Sequence, residues 1–530
     1  MSLPAWLDGA VFYQIYPQSF FDTNADGIGD LPGISRKLDY LQDLGVNALW
    51  LNPCFVSPFE DAGYDVSDYY TVAPRYGTNE DLKSLFQEAA RRGIRVFLDL
   101  VPGHTSVQHP WFIESCRHAP NKYSDWYIWT DGVWSHVPPD LQVVRGYAER
   151  DGNYVTNFFY CQPALNYGFA APDPSRSWEQ PVDAPGPRAV REEIRRIMGY
   201  WLDLGAAGFR VDMAGSLVKR DPGGRATAEF WRGIRAWLDR DYPDAALVAE
   251  WSNPTVAIPA GFHMDFYMGW GAPGYAALFR KRDEDPYGCS FFDRSGRGDI
   301  REFLDPYLER LKKTEGLGYL AIPSGNHDIN PRLGKGRDAD DIALIFLFLL
   351  TMPGTPFIYY GDEIGMRGVD SLASKEGGFG RTGCRTPMQW DDTANAGFSS
   401  APADRLYLPV EPGPGRPNVA GQQRDPGSLL NRVRRLLALR KSHPALQAGG
   451  GFAPIHAEGG GLPFVYRRFR ADEEIVVALN PAQRPAEVML PGGIMGAPPE
   501  VLYGAEGAFT RAGEGWLLRL PGVSGGVYRI

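Results

Sequence analysis

VREEIRRIMGYWLDLGAAGFRVDM, residues 190–213, contains the unit from which the fold can be read. Apolar residues recur every three or four positions from Val190 to Leu204, the period of one helix face, and Gly205 supplies a helix stop. GFRVDM follows at once, a short strand-like run that carries an acid, Asp212, near its end. A helix feeding a short buried strand is the repeat of an α/β protein. The unit recurs along the chain. Strand-like runs are VFYQIYP (11–17), ALWLNP (48–53), RVFLDLV (95–101), GFRVDM (208–213), ALVAEW (246–251), HMDFYMG (263–269), YLAIPS (319–324) and PFIYYG (356–361). Between them lie SRKLDYLQDLG, NEDLKSLFQEAARRG and TAEFWRGIRAWLDRDY, with the same helical spacing. Eight strands, mostly followed by helices, predict an α/β fold of the (β/α)8 TIM-barrel type.

One connection is too long for that plan. Residues 104–188, rich in Trp, Tyr, Pro and Asp, separate the third strand from the fourth and read as an inserted subdomain. After about residue 442 the pattern becomes FVYRRF, EIVVALNP, AEVML, WLLRL and GVYRI between Gly/Pro turns, an antiparallel β-sandwich. The expected organisation is a barrel over 1–103 and 189–442, an insertion over 104–188 and a C-terminal β domain over 443–530.

Composition narrows the partners. The 530 residues are 44% hydrophobic and 22% charged, with a net charge of −10, an ordinary globular balance with no basic cluster for a nucleic acid. Five scattered cysteines (Cys54, Cys116, Cys161, Cys289 and Cys384) show no zinc spacing and suit reduced thiols. The N-terminus lacks a signal-peptide pattern, which points to a cytoplasmic protein. IALIFLFLLTM (342–352) is too short for a membrane span and reads as a buried helix. Nothing in the sequence sets an oligomeric state.

In a barrel of this kind chemistry sits at the C-terminal strand ends. Those ends carry Asp99 and His104, Arg210 and Asp212, Glu250, and Asn326-His327-Asp328. Clustered carboxylates repel one another, so their convergence on one rim is not a stability device. Paired carboxylates suit glycoside cleavage, with one ionised and the other holding a proton. Arg210 lies two residues before Asp212 and so on the same face, where it can keep that acid ionised. A separate feature is DTNADGIGD (22–30), the front half of a calcium loop. Its twelfth position is Gly33 rather than a bidentate Glu, and it follows a strand, so it is not a sensor hand. Without a metal it would be an Asx-rich turn.

The motifs AVFYQIYPQSF, DTNADGIGDLPGI, GYDVSDY, DLVPGHTS, QPALNYG, GFRVDMA, VAEWS, SGNHD, GTPFIYYGDEIGM and CRTPMQWD, in this order and spacing, resemble glycoside hydrolase family 13. This is the α-amylase family, and the nearest likeness is to its α-glucosidase and oligo-1,6-glucosidase branch. The resemblance covers nearly the whole chain. It implies Asp212 as nucleophile, Glu250 as acid and base, and Asp328 as a holder of sugar hydroxyls that favours the distorted transition state. It implies that His104, His327 and Arg210 position the glucosyl ring, that Tyr64 stacks on it, and that Asp65 and Arg385 contact substrate. Two inversions would preserve the α configuration. For the loop, it implies one structural Ca2+, or Mg2+ in its place, held by Asp22, Asn24, Asp26, Asp30 and the Ile28 carbonyl. No organic cofactor is implied.

The chain departs from the family pattern in three places. Gly103 stands where Asn is usual, so the second calcium site of α-amylases is not expected. Ala164 replaces the Asp of QPDLN, and Met213 follows the nucleophile where Val, Ala or Thr is usual, which leaves linkage preference open. The leading expectation is a retaining α-glucosidase acting on short oligosaccharides or sucrose. A transglucosylase or glucoside isomerase of the trehalose-synthase or sucrose-acting kind is the alternative. An endo-acting amylase and a non-catalytic transporter-associated subunit are further readings.

Overall fold

The computed structural model of the protein describes residues 3–269, 272, 274–280, 289–413, 415–504 and 508–530. All eight expected strands are present: β1 (Phe12–Ile15), β2 (Ala48–Leu51), β3 (Arg95–Leu100), β4 (Gly208–Val211), β5 (Ala246–Ala249), β6 (Met264–Phe266), β7 (Tyr319–Pro323) and β8 (Thr355–Tyr359). Each pairs in parallel with its neighbours in chain order, and β8 returns to β1 to close the barrel. β1, β4 and β5 are buried along their whole length, as expected of strands covered on both faces.

Aromatic rings fill the barrel interior. Phe12 stacks on Phe357 at 4.3 Å and meets Phe97 edge-on at 5.0 Å, and Phe266 packs against both Phe357 and Trp50. Phe97 also explains the glycine that opens β4. A β-carbon at Gly208 would lie 2.6 Å from the Phe97 ring and 2.0 Å from the Ala246 carbonyl. The large residue on one strand therefore requires the absent side chain on the next.

Surrounding helices begin and end where local chemistry directs. α1 (Asn79–Arg91) has a capping box between Thr78 and Asp81 and buries Leu82, Leu85, Phe86 and Ala89. α2 (Pro185–Leu204) starts on proline and stops at Gly205, whose φ of 117° a side chain would resist. α3 (Arg225–Asp241) is likewise amphipathic, with Trp231, Ile234 and Trp237 turned inward. α4 (Ala339–Thr351) is buried on every side from Ile342 onward. It packs against α5 (Leu429–Ser442) and the C-terminal sheet, which explains its apolar circumference. Among the described residues no helix is long and apolar enough to cross a membrane.

The C-terminal region forms two antiparallel sheets. One has the order β9 (Gly451–His456), β10 (Phe464–Arg470), β11 (Glu473–Asn480), β16 (Ser524–Arg529), β13 (Glu500–Tyr503). The other is β12 (Ala486–Leu490), β15 (Gly515–Leu520), β14 (Phe509–Ala512). Val465, Val476, Ala478 and Tyr528 from the first pack with Leu490, Trp516, Leu518 and Leu520 from the second. Between β3 and α2, the segment around 104–184 has little regular structure beyond a short helix and a pair of three-residue strands. It has a small core of Ile128, Val155, Ala164, Phe169 and Trp178. Trp126 and Trp129 are buried, and Trp134 is exposed.

Candidate active site

The C-terminal strand ends and the insertion enclose a pocket of about 640 Å³, a size suited to a small molecule. Asp61, Tyr64, His104, Asp212, Glu250, His327, Asp328 and Arg381 supply its polar lining, and Met213, Phe158, Phe159, Trp251 and Phe379 its apolar walls.

Arg210 organises its floor. β3 and β4 run in parallel with Asp99 opposite Arg210, so sheet register alone brings these charges together. The fully buried guanidinium donates through Nη1 to Asp99 Oδ1 at 2.9 Å and to Asp212 Oδ1 at 2.8 Å. Its Nη2 lies 2.8 Å from Glu250 Oε1. One fixed cation thus spans three carboxylates. Glu250 Oε2 also accepts the Met213 backbone N–H at 3.0 Å. Met213 achieves this with φ 42°, a left-handed conformation rare outside glycine, and Ser252 and Phe379 on the same rim share it.

Electrostatics separate the three acids. Burial pushes Glu250 up to about 8, against the pull of Arg210. Burial also raises Asp212, to about 7, with Arg210 again opposing it. Burial thus lifts both acids toward neutral pH while one arginine opposes the rise in each. Asp328 goes the other way. Burial pushes it up, but the facing neutral ring of His327 and the charged Arg385 and Arg381 outweigh that and hold it below the usual carboxylate range. Arg381 Nη1 donates to Asp328 Oδ1 at 2.6 Å, and Arg385 Nη2 donates to the same oxygen at 3.1 Å.

A buried polar chain orients the rings. Gln14 on β1 donates to Asn52 Oδ1 and to His327 Nδ1, at 2.8 and 3.0 Å. His327 Nε2 then faces Asp328 Oδ2 at 3.2 Å. Asn52 donates to the Tyr64 hydroxyl, which donates to Asp99 Oδ2 at 2.8 Å. The Tyr64 and His327 rings lie parallel, 5.3 Å apart. Burial keeps both His104 and His327 neutral, His104 being pushed down to about 3.

The matched family model is the alpha-amylase catalytic domain, over residues 14–449. The chain belongs to the α-amylase family, glycoside hydrolase family 13. It is a glycoside hydrolase. Similar members include an oligo-1,6-glucosidase of Parageobacillus thermoglucosidasius, 32% identical across 94% of each chain. A trehalose synthase/amylase of Mycobacterium tuberculosis is 34% identical over 98% of this chain and 89% of its own. The trehalulose synthase MutB from Pseudomonas mesoacidophila MX-45 superposes with a TM-score of 0.79 at 28% identity, covering 99% of both chains.

Within this family frame the structure brings Asp212, Glu250, Asp328, Tyr64, His104 and His327 to one pocket, with Arg210 beneath it. Two sequence expectations change. Asp65 does not reach the pocket. It is fully buried, accepting from Ser57 Oγ and from the backbone N–H groups of Glu60 and Asp61, and so shapes the loop. Asp61 from the same segment lines the pocket, 3.8 Å from Arg381 Nη2 and bonded to Gln162 Nε2. Arg385 is buried behind Asp328 and donates to the His327 carbonyl, while Arg381, one turn earlier, reaches the open space. Sequence reading also passed over Phe158, Phe159 and Phe379. Adjacent phenylalanines ahead of QPALN were the available signal for two of them. None of the insertion's tryptophans lines this pocket.

The loop over 22–30 is folded by its own polar groups. Asp22 accepts from the N–H groups of Asn24, Ala25 and Gly27, Asn24 from Asp26, Asp26 from Ile28, and Asp30 from Thr23 and Gly33. Among the described residues Asp22, Asp26 and Asp30 have no ion-pair partner, and no three His, Cys, Asp or Glu groups stand close enough to hold a metal as they are. The donors are nonetheless all oxygen, with three carboxylates lacking a counter-charge, which suits a hard cation.

Proposed function

We propose that the protein is a retaining α-glucosidase of short α-glucosides. The observation that carries this is the single buried guanidinium of Arg210, 2.8 Å from an oxygen of each of Asp212 and Glu250. In this reading Asp212, ionised beside Arg210, attacks the anomeric carbon, and Glu250 gives its proton to the leaving oxygen. The glucosyl-enzyme ester is then opened by a water that loses its proton to Glu250. Acid and base roles alternate on one residue, and the two inversions return the α anomer. Asp328, ionised and held by Arg381 and Arg385, accepts sugar hydroxyls. Tyr64 offers a ring face at the pocket floor, and Asp61 with Arg381 supports the outer hydroxyls.

A second reading is transglucosylation or isomerisation, in which a sugar replaces water. Phe158 and Phe379 at the mouth are half exposed, and Phe159 packs against Phe379 at 5.6 Å. Such a rim can retain an acceptor and exclude water. Time-resolved NMR of products from maltose, isomaltose, sucrose and trehalose separates the readings. α-Glucose as first product supports hydrolysis, new disaccharides move the enzyme to the transferase class, and initial β-glucose overturns the retaining mechanism.

For the loop over 22–30, we propose one structural Ca2+, with Asp22, Asn24, Asp26, Asp30 and the Ile28 carbonyl as its holders. The support is the all-oxygen donor set and its uncompensated charge.

A further inference from the structure

Gly103, just ahead of His104, carries no side chain, and another residue occupies the space. A β-carbon built on Gly103 would lie 2.6 Å from Asn157 Nδ2 and 3.6 Å from Ser216 Oγ. Asn157 comes from the insertion, 53 positions beyond His104.

The orientation of its amide is fixed by chemistry. Lys219 Nζ donates to Asn157 Oδ1 at 2.9 Å and to the Ser216 carbonyl at 2.8 Å. An ammonium has no lone pair to offer an amide N–H, so the oxygen must face Lys219. The NH2 end is left toward His104, 3.2 Å from Nδ1. The other ring nitrogen, Nε2, lies 3.1 Å from the Tyr64 carbonyl, which only accepts. Both contacts demand one state: a neutral ring, protonated at Nε2 and bare at Nδ1.

We infer that Asn157 is a positioning residue for the glycosidase reaction, filling the room left by Gly103 and, anchored on Lys219, fixing the tautomer and tilt of His104 in the pocket. The structure thereby gives the insertion a direct hold on the His104 ring. A group that orients a contact residue can affect rate by more than its own bond is worth, because small displacements of a reacting geometry are costly. The kinetic part of this inference rests on the glucosidase reading; the tautomer is a property of the free protein.

The test combines 15N NMR of histidine-labelled protein with kinetics. Wild-type His104 is expected as the Nε2–H tautomer, and a proton on Nδ1 overturns the inference whichever variants fold. Asn157→Ala is expected to lower kcat/KM on a short α-glucoside by about 10- to 100-fold and to shift the His104 Nδ1 resonance. Gly103→Asn alone drives one amide into another and is expected to lose activity. Gly103→Asn with Asn157→Gly returns an amide to the same space and is expected to recover kcat/KM to within about threefold of the parent. Parental kcat/KM and an unchanged His104 resonance in Asn157→Ala overturn the inference. So does a folded double variant no better than Asn157→Gly. If the wild type cleaves no α-glucoside, the functional reading falls, while the NMR result still decides the tautomer.

Discussion

Arg210 touches both Asp212 and Glu250, and burial lifts each of these acids toward neutral pH. Activity requires Asp212 ionised, so kcat/KM should rise as pH rises through about 7. It also requires Glu250 protonated, so it should fall as pH rises through about 8. The expected profile is a narrow bell, and Glu250→Gln, assayed with an activated leaving group that needs no acid, should lose its alkaline limb. Retention of that limb would assign it to another group. Asp212→Asn should lower kcat by on the order of 10⁴-fold or more, as loss of a nucleophile does. At this scale the sequence showed the residues placed by strand register, because two positions along a strand share a face: Arg210 and Asp212 are legible that way. Asp61 against Asp65 was not, since both lie in an irregular loop. Which acid faces the pocket is decided there by three hydrogen bonds that tie Asp65 inward.

At the scale of elements, the interior barrel strands were legible because strands covered on both faces are short continuous apolar runs with sharp ends. The C-terminal strands β9, β13 and β14 were not anticipated. All three are edge strands, and β9 and β13 contain no fully buried residue, so the alternation that signals a half-buried strand is missing. The aromatic barrel interior gives a direct stability prediction. Phe357→Ala, which removes a ring packed against Phe12 and Phe266, should cost about 3–5 kcal/mol, read as a large drop in Tm. Thr78→Ala, which deletes the α1 capping box at a residue that does not line the pocket, should cost about 1 kcal/mol and leave kcat unchanged. A loss of kcat without a loss of Tm would show that this helix start communicates with the site.

Across the whole molecule, the first barrel connection is tied to the last. Asp22 N–H donates to the Phe398 carbonyl, Ser399 Oγ donates to Asp22 Oδ2 and Tyr407 N–H to the Gly27 carbonyl, so the proposed metal loop joins segments nearly 400 residues apart. Cation binding there would stabilise the closed barrel by linkage. Added Ca2+ should raise Tm in chelator-treated protein, and Asp26→Ala should abolish that response; an unchanged Tm removes the metal from the account. The insertion was legible only as a length anomaly. Its contribution to the site, Asn157, Phe158 and Phe159, depends on how an irregular segment folds over the barrel mouth, which hydrophobic period does not encode. A retaining mechanism requires a glucosyl ester on Asp212, which trapping with a 5-fluoro-α-glucosyl fluoride followed by peptide mass spectrometry reads directly. One fluoroglucosyl group is expected on the peptide carrying Asp212, absent in Asp212→Asn. Active enzyme that turns over the fluoride with no adduct, or an adduct on Glu250, would contradict it.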